Sequence, residues 1–72
     1  MNPKPKSYRE LVAALREKLN ADDAPTIRQV SAACEIPVSR VSDFKNSKLG
    51  LSFERMDKLA RYFKIQYNLV EY

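Results

Sequence analysis

Between residues 7 and 20, apolar side chains recur at three- and four-residue steps: Tyr8, Leu11, Val12, Leu15 and Leu19. This spacing lays them along one stripe of an α-helix, and Arg9, Glu10, Arg16, Glu17 and Lys18 take the other faces. Ser7 with Glu10 three residues on predicts a capping box, each side chain satisfying an orphan backbone N–H. The helix should end near Asn20, before an Ala-Asp-Asp-Ala-Pro loop.

Residues 27–46, IRQVSAACEIPVSRVSDFKN, carry a second, tighter pattern. Val30 and Cys34 fall on one short helix, Ile36 in a turn, and Val41 and Phe44 on a second short helix. Thr26 and Gln29 predict a capping box at the start of the first. Pro37 stops that helix and suits the opening turn of the next. Ser31 is small where the two helices should cross. This is the spacing of a helix-turn-helix, whose second helix stands clear of the protein body.

The polar stretch Asn46-Ser47-Lys48 and Gly50 predict a loop. Ser52 caps a fourth helix, with Glu54 early and Arg61 and Lys64 late, an order that suits the helix dipole. Phe53, Met56, Leu59, Ala60 and Phe63 should face the core. The tail KIQYNLVEY has no capping signal, and Ile65, Tyr67 and Leu69 alternate as in a strand. A lone strand needs a partner, so Tyr67, Leu69, Val70 and Tyr72 are expected to contact a second copy. Residues 1–6, with two prolines and two lysines, should form a mobile basic arm. The expected organisation is thus an arm over 1–6, a domain over 7–65 and a contact segment over 66–72.

Composition narrows the chemistry. At 72 residues the chain suits one small domain, and a domain of that size is marginal in stability. Thirteen Lys and Arg against nine Asp and Glu leave a net charge of +4, which suits a polyanion. One Cys and no His exclude a disulfide framework, a zinc site and the histidine-based catalytic arrangements, and no phosphate-cradling loop is present. An enzyme is therefore not expected, nor a cofactor or a metal. No apolar run is long enough for a membrane span or a signal-peptide core, so the protein is expected in the cytoplasm.

The chain resembles the Cro and repressor-type (XRE-like) helix-turn-helix proteins of phages and bacteria, closely over residues 26–48 and more loosely over 52–65. Where that family has Leu-Ala in its second helix, this chain has Val30-Ser31. Where it has Gly-Val-Ser at the turn, this chain has Glu35-Ile36-Pro37. The family's Ile-Ser is matched by Val41-Ser42, its Asn-Gly-Lys by Asn46-Ser47-Lys48, and a later Leu-Ala by Leu59-Ala60. Glu35 therefore stands where glycine often supplies a positive φ, and Pro37 replaces a serine cap. The resemblance implies an all-α, four-to-five-helix lambda-repressor-like domain, with a C-terminal strand or short helix as alternatives for the tail.

It also implies that the start of helix 3 faces DNA bases: Val38, Ser39 and Arg40, with Asp43 a turn later. Arg40 can donate two hydrogen bonds to guanine, Ser39 can reach a base or a phosphate, and Val38 can pack on a thymine methyl. Asp43 can accept from cytosine, repel a phosphate, or pair with Arg40. Thr26, Arg28, Lys45, Asn46 and Lys48 are the expected backbone contacts, with Lys4 and Lys6 as arm contacts. The expected function is a cytoplasmic homodimeric repressor on a palindromic double-stranded DNA operator, with no small-molecule effector and no membrane. The alternatives are an antitoxin or excisionase-type DNA-binding accessory protein, and a protein-interaction module that binds no DNA.

Overall fold

Each helix begins at a side chain that supplies an acceptor, or at a proline. A computed structural model describes residues 4–69 and gives α1 Tyr8–Asn20, α2 Ile27–Cys34, α3 Val38–Lys45 and α4 Phe53–Tyr62. Ser7 accepts from the Glu10 N–H at 3.2 Å, but the Glu10 carboxylate reaches past Ser7 to the Lys6 N–H, also at 3.2 Å. The capping box expected there is therefore displaced by one residue. At α2 it is reciprocal: the Gln29 N–H donates to Thr26 at 3.1 Å and the Thr26 N–H to Gln29 at 3.0 Å. Ser52 accepts from the Arg55 N–H at 3.3 Å and starts α4. Pro37 starts α3 with no side-chain bond at all.

The helices close around one core. Leu11, Leu15 and Leu19 of α1, Val30 and Cys34 of α2, and Ile36 of the turn are buried. So are Val41 and Phe44 of α3, Leu51 of the following loop, and Met56, Leu59 and Ala60 of α4. These are the apolar positions that the helical spacing picks out, with Leu51 added. α2 packs on α3 and α4, and α1 lies across the same two helices. No buried side chain among the described residues is polar or charged, so apolar burial is the main side-chain contribution to this interior.

Two aromatic positions differ from expectation. Tyr8 is half exposed, because its hydroxyl turns to donate to the Leu51 carbonyl at 2.9 Å. Phe53 opens α4 and is 47% exposed, its ring edge-on to Tyr67 with centroids 6.0 Å apart. A first-turn residue has core beneath only one side, and Tyr67 covers part of the rest.

The tail shows the alternation that its sequence predicts, with Ile65, Tyr67 and Leu69 half-buried and Gln66 and Asn68 exposed. Residues 65–69 nevertheless form neither strand nor helix. Ile65 and Tyr67 pack against the chain's own core, and the Asn68 N–H donates to the Pro5 carbonyl at 3.0 Å. The residues expected to need a partner chain thus find part of that cover within the same chain. Val70 and Tyr72 lie outside the described residues. The same contact holds Pro5, which is buried between exposed Lys4 and Lys6; residues 1–3 of the expected arm lie outside the described residues.

Tyr67 also donates to Asp57 at 2.5 Å, and the other oxygen of Asp57 pairs with Arg61 at 3.0 Å. Desolvation pushes the Tyr67 phenol above its usual value. The Asp57 hydrogen bond and charge push the same way, and Arg61 opposes them. The fold therefore favours the neutral phenol. That stabilisation is complete below an ordinary phenol pKa, about 10, and is lost as pH rises through the higher folded value. Denaturant unfolding measured from pH 8 upwards should show Tyr67→Phe losing less stability above about pH 10 than the native chain.

Candidate nucleic-acid interface

The turn between α2 and α3 is built from a left-handed residue and a serine. Glu35 ends α2 at φ 57°, and both its N–H and that of Ile36 donate to the Ser31 carbonyl. The Ser31 hydroxyl donates in turn to the Ile36 carbonyl. Ser31 is thus more than a small residue at a crossing: it fastens the turn to α2 at both its carbonyl and its hydroxyl. The buried Ile36 anchors the same turn from the core side.

α3 then leaves the turn with its first residues outward. Val38, Ser39 and Arg40 are exposed, and Asp43 is half-buried. Eight residues make a helix about 12 Å long, close to the width of a major groove. Arg40 and Asp43 form no ion pair, so of the roles open to Asp43, the one that immobilises Arg40 is not observed. Pro37 offers no acceptor, which leaves the first N–H groups of α3 without a side-chain partner. At α2, Thr26 and Arg28 lie exposed in and before the first turn. The capping box there occupies the N–H of Gln29 and leaves those of Ile27 and Arg28 without intrahelical acceptors.

The far end of α3 is closed by backbone and by α1. The Ser47 N–H donates to the Phe44 carbonyl at 3.1 Å and the Lys48 N–H to the Asp43 carbonyl at 2.8 Å, with Ser47 left-handed at φ 61°. This is a Schellman ending. It puts Lys45, Asn46 and Lys48 on one tight bend, Lys45 half-buried and the other two exposed. Arg16 of α1 covers the bend. Its Nε donates to the Phe44 carbonyl at 2.8 Å, an Nη to the Leu49 carbonyl at 3.4 Å, and its guanidinium lies 4.7 Å from the Phe44 ring centroid. Asn20 donates to the carbonyls of Arg16, at 2.9 Å, and Lys45, at 3.3 Å.

Sequence reasoning assigned Arg16 to the polar faces of α1 and took Asn20 only as its end. The available signal was weak. Arg16 borders the apolar stripe, one residue after Leu15, and no side chain of α3 itself caps its last carbonyls.

The arm lysine Lys4 lies against α1 and the tail. Lys4 lines a cavity of about 370 Å³ with Ala14, Lys18, Lys64 and Ile65, bounded by α1 and the tail. It shares that cavity with none of the α2 or α3 residues expected at DNA. Among the described residues there is no cluster of His, Cys, Asp or Glu that could hold a metal, and no helix long and apolar enough to cross a membrane.

Two short helices joined by a tight turn, the second with an exposed leading end, define a helix-turn-helix DNA-binding protein. A family model of the Cro/C1-type HTH DNA-binding domain matches residues 14–68, and the chain belongs to that family. No curated protein and no solved structure gives a significant match.

A left-handed backbone costs an L-residue with a side chain about 1–2 kcal/mol, part of which glycine returns through the unfolded chain's freedom. Glu35→Gly should therefore raise the unfolding free energy by about 0.5–1 kcal/mol in urea denaturation, with the helix content unchanged.

Proposed function

We propose that the protein is a sequence-specific transcriptional regulator of the Cro-like repressor kind, acting in the cytoplasm as a homodimer on a palindromic operator. The observation that carries this reading is the leading end of α3. Val38, Ser39 and Arg40 are exposed there, while Val41 and Phe44 of the same helix are fully buried. A helix so held presents three side chains of different recognition chemistry at a fixed setting.

Ser39 and Arg40 supply hydrogen bonds to base edges and Val38 an apolar surface for a thymine methyl. The bend that carries Lys45, Asn46 and Lys48 grips the sugar-phosphate backbone, and the open N–H groups of α2 hold a phosphate beside Thr26 and Arg28. Exposed Phe53, with half-buried Tyr67 edge-on to it and the tail residue Leu69, gives the apolar surface for a second copy. Two such copies set their α3 helices about 34 Å apart, one turn of the duplex. Occupying the operator in this way blocks polymerase, which is the repression step.

Selection of bound duplexes from random DNA, followed by gel shift, tests the reading. The native chain should retain a palindromic site and bind a scrambled duplex far more weakly; no enrichment would refute it. Arg40→Ala should lose about 1–3 kcal/mol on the selected site and relax the preference at one base pair per half-site. Lys48→Ala should weaken selected and scrambled duplexes alike and lower the slope of log K against log salt by about 1.

A further inference from the structure

We infer that Arg16 and Asn20 of α1 are positioning residues for DNA recognition, setting α3 and its following bend from behind while touching no DNA themselves. The inference rests on the reading of α3 as the base-reading helix. The first observation is the asymmetry of α3. Its leading end has no side-chain cap, because Pro37 lacks an acceptor there. Its trailing end receives three side-chain hydrogen bonds, from Arg16 to Phe44 and Leu49 and from Asn20 to Lys45.

The second observation is where these bonds land. Phe44 belongs to α3, Lys45 ends it, and Leu49 lies just past Lys48, so one arginine fork spans the whole bend that carries Lys45, Asn46 and Lys48. The third is the guanidinium against the Phe44 ring. Phe44 is fully buried, so Arg16 sits on a fixed platform. A planar fork with several donors can hold two carbonyls at once, which the single ammonium of lysine cannot do in the same geometry. The cation also meets the negative end of the α3 dipole.

The main variant is Arg16→Lys, which keeps the charge and so preserves the sequence-independent attraction to phosphate. Affinity for the selected duplex should fall about tenfold, the range of one well-made specific contact, while affinity for a scrambled duplex of equal length stays within about twofold. Asn20→Ala removes no charge and should lower the same ratio about threefold, as expected of one neutral hydrogen bond. In both variants the amide hydrogens of Lys48 and Leu49 should exchange faster, with those of Met56 and Leu59 in α4 unchanged.

A specific-to-scrambled ratio equal to the native one in both variants overturns the inference. So does a parallel loss on both duplexes that tracks the unfolded fraction measured by thermal melting. Should Arg16→Lys fail to fold, Asn20→Ala carries the test alone. If the native chain itself fails to tell the two duplexes apart, it is the DNA reading that fails, and the amide exchange still reports whether the anchor holds the bend.

Discussion

Burial of Phe44 and Val41 fixes the apolar face by which α3 is held against the body of the protein. A helix of eight residues has no stability of its own in water, because nucleation costs more than so few hydrogen bonds return. Its structure is therefore borrowed from packing. Phe44 contributes most to it: its ring is fully buried in the common core, the Arg16 guanidinium lies over that ring, and its carbonyl accepts from the same side chain. Ile36 and the Ser31 hydrogen bonds hold the entry to α3, and the Arg16 and Asn20 hydrogen bonds hold its exit. The outward side chains of α3 inherit their positions from these inward ones.

The turns that make this possible carry a conformational cost. Glu35, Ser47 and Lys64, one at the end of each of α2, α3 and α4, adopt left-handed backbone without being glycine. The chain's one glycine, Gly50, is spent elsewhere, at a position where an added Cβ would meet nothing. At about 1 kcal/mol each, three such residues are a sizeable burden for a domain that buries only about 60% of its unfolded surface. What offsets them is that each ending also ties up carbonyls. Lys48 and Ser47 close α3, and Ile65 and Lys64 close α4 through the same pair of hydrogen bonds. Any partner that binds only the folded chain, DNA or a second copy, adds to this margin by mass action.

The helices and most of the core were legible because their signals are local. Three- and four-residue spacing, Ser and Thr caps and a mid-motif proline set the boundaries within a residue or two. The left-handed setting at Glu35 was legible too, from the resemblance, since glycine is common there in the family. Arg16 was not, because its partners lie 28 and 33 residues away and are main-chain carbonyls. A carbonyl is present at every position, so the sequence at Phe44 and Leu49 carries no mark of being an acceptor. The tail was half legible. Its period-two pattern is real, but a pattern states that one face is covered and not by what. Here Ile65 and Tyr67 are covered by the chain's own core and α4.

Charge completes the division of labour on the surface. Among the described residues the one ion pair is Arg61 with Asp57, on α4, where it also helps hold Tyr67. Arg40 has no such partner, even with Asp43 one turn away on the same helix. An arginine already fastened to a carboxylate would have to break that bond before reaching a base, and the exchange would return little. Arg16 is the opposite case, a cation satisfied by carbonyls and a ring, with little left to offer a phosphate. The two arginines are chemically identical, and their surroundings differ: Arg16 spends its donors on carbonyls behind the helix, and Arg40 keeps its donors open on the face proposed to read DNA.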